Sequence, residues 1–138
     1  MPTREEQAAQ WLTVSRSSRK AAQHLLEVEC YRSSVSRAYY AAYAAITSAL
    51  VAQGITFGLG GNNPGHAGLP AYILNNLTTV PLTRRFELNK AVRRLYAARV
   101  QADYIAHVVG GRASALNGLR ELTRIFVFLS LNVGEREL

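Results

Sequence analysis

The chain has 138 residues, which is enough for one domain that buries well over half of its unfolded surface around a single core. A hydrophobic content of 49% with 18% charged residues excludes an intrinsically disordered chain. The net charge of +7 rests on 14 arginines and 2 lysines. Arginine pairs with phosphate oxygens and stacks on bases, so the excess favours a nucleic-acid or nucleotide partner, although a GC-rich genome would also favour arginine over lysine.

The cysteine content and the hydropathy pattern exclude several other classes. Cys30 is the single cysteine and cannot form an internal disulfide, and no Cys or His cluster has zinc-ligand spacing. The N-terminus lacks the basic-then-apolar order of a signal peptide, and no apolar run approaches the roughly 20 residues that span a bilayer. We therefore expect a cytoplasmic protein with a reduced thiol, no metal, no cofactor and no membrane contact.

The first predicted helix covers residues 4–28, with Thr3 as its N-cap and Glu6 completing a capping box. Its apolar positions recur at steps of three and four, with Ser18 filling one gap, and define the face expected to point inward: Trp11, Val14, Ala21, Leu25 and Val28. The opposite face carries Arg16, Arg19 and Lys20, which either form a solvated surface or contact phosphates.

The second predicted helix covers residues 29–53 and ends at Gly54, a residue suited to the left-handed conformation after a helix. One face is apolar and belongs in a core: Val35, Ala38, Tyr39, Ala42, Ile46, Ala49 and Leu50. A second face places Arg37 and Tyr40 among alanines, which are small enough to let another helix approach closely.

A glycine-rich loop over residues 54–68 follows, with six glycines and Pro64. Gly60 and Gly65 have the first spacing of a phosphate-binding P-loop, but His66-Ala67 stands where Lys and Ser/Thr are needed, which excludes that motif. The loop is either a mobile connection or a flap that brings His66 to the start of the next helix, where free backbone N–H groups favour an anion.

The second half of the chain is predicted to form a short helix over residues 68–77 and a long one from Thr83 onward. The long helix carries Leu88, Val92, Leu95, Ala102 and Ile105 inward. Arg99 falls on this same stripe, with Asp103 one turn further on. A charge on an inward face is costly unless it is paired or reaches a cleft, so we expect a further partner, with Arg37 as the candidate partner of Asp103.

The last predicted helix covers residues 113–132, with Ala115, Leu119, Leu122, Phe126, Leu129 and Val133 at heptad-like spacing. The segment 125–129 is apolar all round, which indicates a homodimer or a bound partner. Every long element is therefore predicted to be a helix. The expected architecture is a single all-α domain, an antiparallel bundle of four long helices with a short fifth after the glycine-rich loop.

Three segments in this order resemble the HEPN superfamily, in its branch of small single-domain members. They are the octapeptide SRAYYAAY at residues 36–43, the tripeptide HAG at residues 66–68, and Leu95-Tyr96 followed by Arg99-x-x-Ala102-Asp103-Tyr104. Together these segments span most of the chain. The resemblance implies an all-helical fold, frequent dimerisation and, in many members, metal-independent RNA cleavage in a cleft between two protomers.

The motif residues and charged residues near them form the candidate site. We predict catalytic roles for Arg99, His66, His107 and Tyr40, and substrate binding by Arg37, Asp103 and Tyr104, with Arg93 and Arg94 attracting phosphate at the margin of the cleft. Cleaving members have Arg followed by His after four to six residues, whereas Arg99 and His107 are separated by seven. Arg19 and His24 have four between them but lie on the first helix, in the wrong place for the family.

Three functions follow from this pattern. The leading prediction is a protein that binds RNA or a nucleotide, with ribonuclease activity in a toxin–antitoxin or antiviral defence system. The alternative is a non-catalytic helical partner of a nucleotidyltransferase-like antitoxin protein that docks through residues 125–129. A small-molecule sensor is a third hypothesis, because a helical bundle can contain a ligand-binding pocket.

Overall fold

A computed structural model describes residues 1–58, 61–104 and 111–131. It contains five helices in these ranges, namely α1 (Arg4–Glu27), α2 (Tyr31–Ala52), α3 (Leu69–Asn76), α4 (Leu82–Tyr104) and α5 (Arg112–Phe128). These ranges contain no β-strand, so the predicted all-α class is confirmed. None of the helices in the described part of the chain is both long and apolar enough to cross a membrane.

The helix ends follow the predicted local signals. Thr3 caps α1, because its hydroxyl accepts a hydrogen bond from the backbone N–H of Glu6 at 3.1 Å. Gly54 follows α2 with a φ of +83°, the left-handed conformation that glycine adopts without a steric penalty.

Helix α2 forms the centre of the bundle, and all four other helices pack against it. Eight consecutive residues, 41–48, are buried. A run longer than two helical turns exposes every side of a helix in succession, so α2 is covered all round over this stretch. Four of these eight residues are alanines, which let the neighbouring backbones come close, as predicted for its second face.

The contact between α1 and α2 relies on small and hydroxylated residues. Ser15 and Ala22 of α1 are fully buried, and the Ser15 hydroxyl donates to the carbonyl oxygen of Ala41 at 2.5 Å. In the opposite direction, Ser34 of α2 donates to the carbonyl of Ala22 at 2.7 Å. Because each buried hydroxyl has an acceptor on the facing helix, serine can occupy this interface without an unsatisfied polar group.

The predicted inward face of α1 is therefore partly wrong. Val14 is 37% exposed and Val28 is 50% exposed, whereas Ser18 of the predicted face is buried and so is Ser15, which was not predicted. The apolar residues mark the buried edge of the helix only in part, because close backbone approach favours small side chains over larger apolar ones.

Arg19, predicted on the outer face of α1, is also placed differently. Its residue is only 5% exposed, and its guanidinium carbon lies 5.3 Å from the centre of the Phe126 ring of α5. Arg16 lies over the same ring at 6.0 Å. A guanidinium over an aromatic face is attracted by the ring quadrupole, so these arginines contribute to packing between α1 and α5.

Helices α4 and α5 complete the core largely as predicted. Leu88, Val92 and Leu95 of α4 are buried, as are Ala115, Leu122 and Phe126 of α5. Within the segment 125–129, Ile125 and Phe126 are fully buried by the chain itself, and Val127 is 52% exposed. Ile105 and Val133 lie outside the described residues.

Candidate functional site

An open cleft of about 400 Å³ lies between α2 and α4 and is bordered by the loop before α3. It is lined by Ser33, Ser36, Arg37, Tyr39, Tyr40, His66, Arg99 and Asp103. Five of these eight residues belong to the predicted site, and Ser36 and Tyr39 lie beside them in the second-helix motif. The structure therefore brings Arg37, Tyr40, His66, Arg99 and Asp103 together although they are distant in sequence.

Asp103 is held on the α4 side of the cleft by two partners. Nε of Arg99 donates to its Oδ2 at 3.1 Å, and the hydroxyl of Ser36 lies 2.9 Å from Oδ1 and 2.8 Å from Oδ2. The predicted pairing of Asp103 with Arg37 is wrong. Ser36 faces the carboxylate, and the next residue of a helix points about 100° away from it.

Arg37 remains available to a ligand. It is exposed, and it has no hydrogen-bond or ion-pair partner within the described ranges. An unpaired guanidinium on the wall of a cleft offers its full set of five N–H donors to an incoming anion.

Arg99 is only partly engaged by its neighbours. Its guanidinium carbon lies 5.3 Å from the centre of the Tyr39 ring, and the side chain is 25% exposed. Among the residues that the structure describes, only its Nε donates a hydrogen bond, so the two terminal nitrogens are free. The Asp103 contact and the Tyr39 ring thus orient Arg99 and leave its outer edge for a ligand.

His66 is fixed at the loop side of the cleft by Tyr39. The Tyr39 hydroxyl lies 2.8 Å from Nδ1 of His66, and the two rings are 5.4 Å apart. Burial lowers the pKa of His66, and the nearby Arg99 lowers it further. Burial also raises the pKa of Tyr39, with partial opposition from Arg99. Near neutral pH both side chains are therefore uncharged, and each can donate or accept the hydrogen bond between them.

The two tautomers of neutral His66 present different groups to the cleft. With the proton on Nδ1, the imidazole donates to Tyr39 and leaves an unprotonated Nε2 that can accept a proton. With the proton on Nε2, the Tyr39 hydroxyl donates to Nδ1 and Nε2–H can donate. In the Tyr39–His66 pair, Nε2 of His66 can therefore serve as a general base in one tautomer and as a proton donor in the other.

The loop that carries His66 is anchored to α2 by Tyr43, a residue only 4% exposed. The Tyr43 hydroxyl donates to Oδ1 of Asn63 at 2.7 Å and accepts from the backbone N–H of Gly65 at 3.0 Å. Gly65 has a φ of +71°, so a residue with a side chain would be strained at this turn. These contacts favour the interpretation of residues 63–66 as a positioning element for His66 over that of a mobile connection.

Other predicted site residues lie away from the cleft or outside the described part of the chain. Arg94 forms two hydrogen bonds with Glu121 of α5, at 3.1 and 3.2 Å, so it serves the α4–α5 contact. Arg93 is exposed and does not line the cleft. The side chain of Tyr104 and all of His107 lie outside the described residues.

The sequence reasoning missed several residues that shape the site. Tyr39 was assigned to the core, and it is indeed 1% exposed, yet its hydroxyl reaches His66. Ser36 was noted only as part of a motif, and Tyr43 and Asn63 were not assigned a role. The hydroxyl groups of Tyr39 and Tyr43 could have indicated these contacts, because a buried phenol normally requires a hydrogen-bond partner.

The described residues contain no group of three or more His, Cys, Asp or Glu side chains placed to hold a metal ion. The residues that line the cleft supply two guanidiniums, one carboxylate, one imidazole and two phenols. These groups can bind a phosphate and move protons beside it.

Comparison with known proteins agrees with the resemblance seen in the motifs. Neither the curated proteins nor the solved structures give a significant match to this chain. The model of the HEPN domain matches residues 8–131, which include every motif described above and all residues that line the cleft. This protein therefore belongs to the HEPN domain family.

Proposed function

We propose that the cleft between α2 and α4 binds RNA or a nucleotide through its phosphate groups. The observation that carries this proposal is that Arg37 has no partner within the described ranges and lines the same cleft as the free terminal nitrogens of Arg99. Two guanidiniums that can reach one anion form charge-assisted hydrogen bonds with it, and the pair matches the geometry of phosphate oxygens. The chain's net charge of +7 supports the same class of ligand.

We propose further that the same groups support cleavage of RNA without a metal ion. The ribose 2'-hydroxyl attacks the adjacent phosphorus, its proton passes to a base, and the 5'-oxygen leaves with a proton from an acid. Neutral His66 supplies the base through Nε2, and Arg99 stabilises the charge that develops on the phosphoryl oxygens. Tyr40, exposed on the α2 wall, and His107 remain candidates for the acid.

The binding proposal is tested by comparing arginine variants that carry the same change of charge. Binding of a short fluorescein-labelled RNA is measured by anisotropy for the parent, Arg37→Ala, Arg99→Ala and Arg84→Ala. Arg84 is exposed on α4 and lies about 22 Å along the helix axis from Arg99, so it controls for long-range electrostatics.

Each cleft variant should weaken binding by more than about tenfold, because a hydrogen bond to a charged group contributes about 1.5–3 kcal/mol. The salt dependence of log Kd should also fall by about 0.7 for each lost phosphate contact with a single strand. If Arg37→Ala and Arg99→Ala bind like Arg84→Ala, the cleft is not the phosphate site.

The cleavage proposal has a separate test. Activity on the same RNA should persist in EDTA, since no metal is required, and should be lost in His66→Ala or His107→Ala. Activity that survives in both histidine variants would rule out histidine-based proton transfer. Binding without cleavage in the parent would leave the first proposal standing and remove the second.

The predicted biological setting is a toxin–antitoxin or defence system, with a homodimer and a nucleotidyltransferase-like partner. The alternative prediction, a non-catalytic helical partner, relied on docking through residues 125–129. Ile125 and Phe126 are buried in the chain's own core, so a partner could contact only Val127, which is exposed, and the partly buried Phe128 and Leu129. Affinity purification from the native host tests both settings, and a stable complex without RNA affinity would support the alternative.

A further inference from the structure

Two exposed tyrosines lie at or next to the proposed phosphate-binding cleft: Tyr40 lines it, and Tyr96 packs against two of its lining residues. Tyr40 of α2 is 36% exposed, and Tyr96 of α4 is 41% exposed. Each ring is backed by another aromatic ring. Tyr40 lies nearly parallel to Tyr43, at 9° and 6.2 Å between centroids, and Tyr96 is stacked on His66 at 29° and 6.3 Å.

Hydrogen bonds within the described part of the chain do not explain why the rings of Tyr40 and Tyr96 are exposed to solvent. Neither hydroxyl makes a hydrogen bond within the described part of the chain. One exposed tyrosine on a protein surface needs no explanation. Here, however, Tyr40 lines the same cleft as Arg37 and Arg99, and Tyr96 contacts two of its lining residues, Tyr39 at 5.3 Å and His66.

We infer that unpaired bases stack on Tyr40 and Tyr96 while Arg37 and Arg99 hold the phosphate between them, so that the ligand is single-stranded RNA. This inference rests on the proposed phosphate-binding function and specifies the ligand. The aromatic contacts of Tyr40 and Tyr96 restrict the orientation of their rings, so less side-chain freedom is lost when a base stacks on them.

The arrangement discriminates between RNA structures. In a duplex the bases are already paired and stacked on one another, so their faces cannot reach a tyrosine on the protein surface. A mononucleotide has one base and can use only one of the two rings. An unpaired strand of two or more nucleotides provides both bases and the phosphate that joins them.

The test uses four variants and four probes in anisotropy measurements or in competition with the labelled strand. The variants are Tyr40→Ala, Tyr96→Ala, Tyr96→Phe and Phe86→Ala. Phe86 is a 50% exposed aromatic residue on the same helix as Tyr96, about 15 Å away along the axis and not among the residues that line the cleft. The probes are a short single-stranded RNA, the same strand with abasic riboses, its blunt duplex, and a nucleoside monophosphate.

Each alanine variant in the cleft should weaken binding of the single strand by between about fivefold and 150-fold, the range measured for one lost base–aromatic stack. Tyr96→Phe should keep the parent affinity because stacking does not use the hydroxyl, and Phe86→Ala should bind like the parent. The parent should bind the duplex, the abasic strand and the monophosphate more weakly than the single strand.

The outcomes separate this inference from the function on which it rests. If the abasic strand binds as tightly as the normal one, with dependence on Arg99 but not on Tyr40 or Tyr96, phosphate binding stands and base stacking is refuted. Equal affinity for the duplex or the monophosphate would also refute the inference. If no probe binds, the proposed function itself has failed.

Discussion

The clearest single-atom test of the site is removal of the Tyr43 hydroxyl in Tyr43→Phe. This hydroxyl is the direct hydrogen-bonding link between α2 and the turn at Asn63 and Gly65, with bonds of 2.7 and 3.0 Å. Gly65 N–H keeps a second acceptor, Oδ1 of Asn63, at 3.0 Å. The substitution therefore removes the hydrogen bond to Asn63. It leaves the backbone N–H of Gly65 with one acceptor in place of two.

The expected cost follows from these contacts. The variant loses one hydrogen bond, and a second donor keeps only one of its two acceptors. The free energy of unfolding should therefore fall by about 1–2 kcal/mol, since each hydrogen bond contributes about 0.5–1.5 kcal/mol net. The entropy of unfolding of a domain of this length is about 0.3 kcal/mol/K, so the melting temperature should fall by about 3–7 °C. Circular dichroism at 222 nm measures the shift.

Tyr40→Phe provides the matched control. Tyr40 is three residues away on the same helix, and its hydroxyl has no hydrogen bond to any described residue. The melting temperature of the Tyr40→Phe variant should therefore stay within about 2 °C of that of the parent. Amide exchange at Gly65 supplies a local measurement, because the opened turn should lose protection in Tyr43→Phe alone. Equal melting temperatures and equal exchange for the two variants would refute the anchoring role of Tyr43.

Two further predictions concern the core and the pH dependence of stability. Gly118→Ala should raise the free energy of unfolding, measured in urea titrations, by about 0.5–1 kcal/mol. The new Cβ would meet its neighbours at 3.6 Å or more, and alanine favours the helix over glycine. A loss of stability would show that this contact is tighter than ordinary packing. His66 has a folded pKa below its unfolded value, so the unfolded state binds more protons below about pH 6.5 and acid destabilises the fold. The stability lost between pH 7 and pH 5 should therefore be smaller in His66→Gln than in the parent, and an equal loss in both would exclude this titration.

Part of the site could be predicted from the sequence. Arg99 interrupts an apolar stripe on α4, and a charge in that position required a partner or a cleft. Both are found, since Nε of Arg99 pairs with Asp103 and its side chain lines the cleft. The motif around Arg37 and Tyr40 likewise marked the α2 wall.

The remaining site residues could not be predicted, because their roles depend on contacts between distant segments. Ser36 lies 67 residues from the carboxylate it binds, and Tyr43 lies 20 residues from Asn63. Periodicity describes which face of a helix is apolar, but it does not specify which polar atoms of another segment will face it.

The sequence alone determined the helical class, the order of the elements and most of their ends. These properties depend on local signals such as the Thr3 cap, the glycine after α2 and the spacing of apolar residues. The tertiary structure decided that Asp103 pairs with Arg99, that Arg37 has no partner among the described residues, and that Arg94 serves the contact with α5. Such choices depend on how helices rotate and approach one another, and in this bundle that approach is set by serines and alanines whose small size permits several faces to pack.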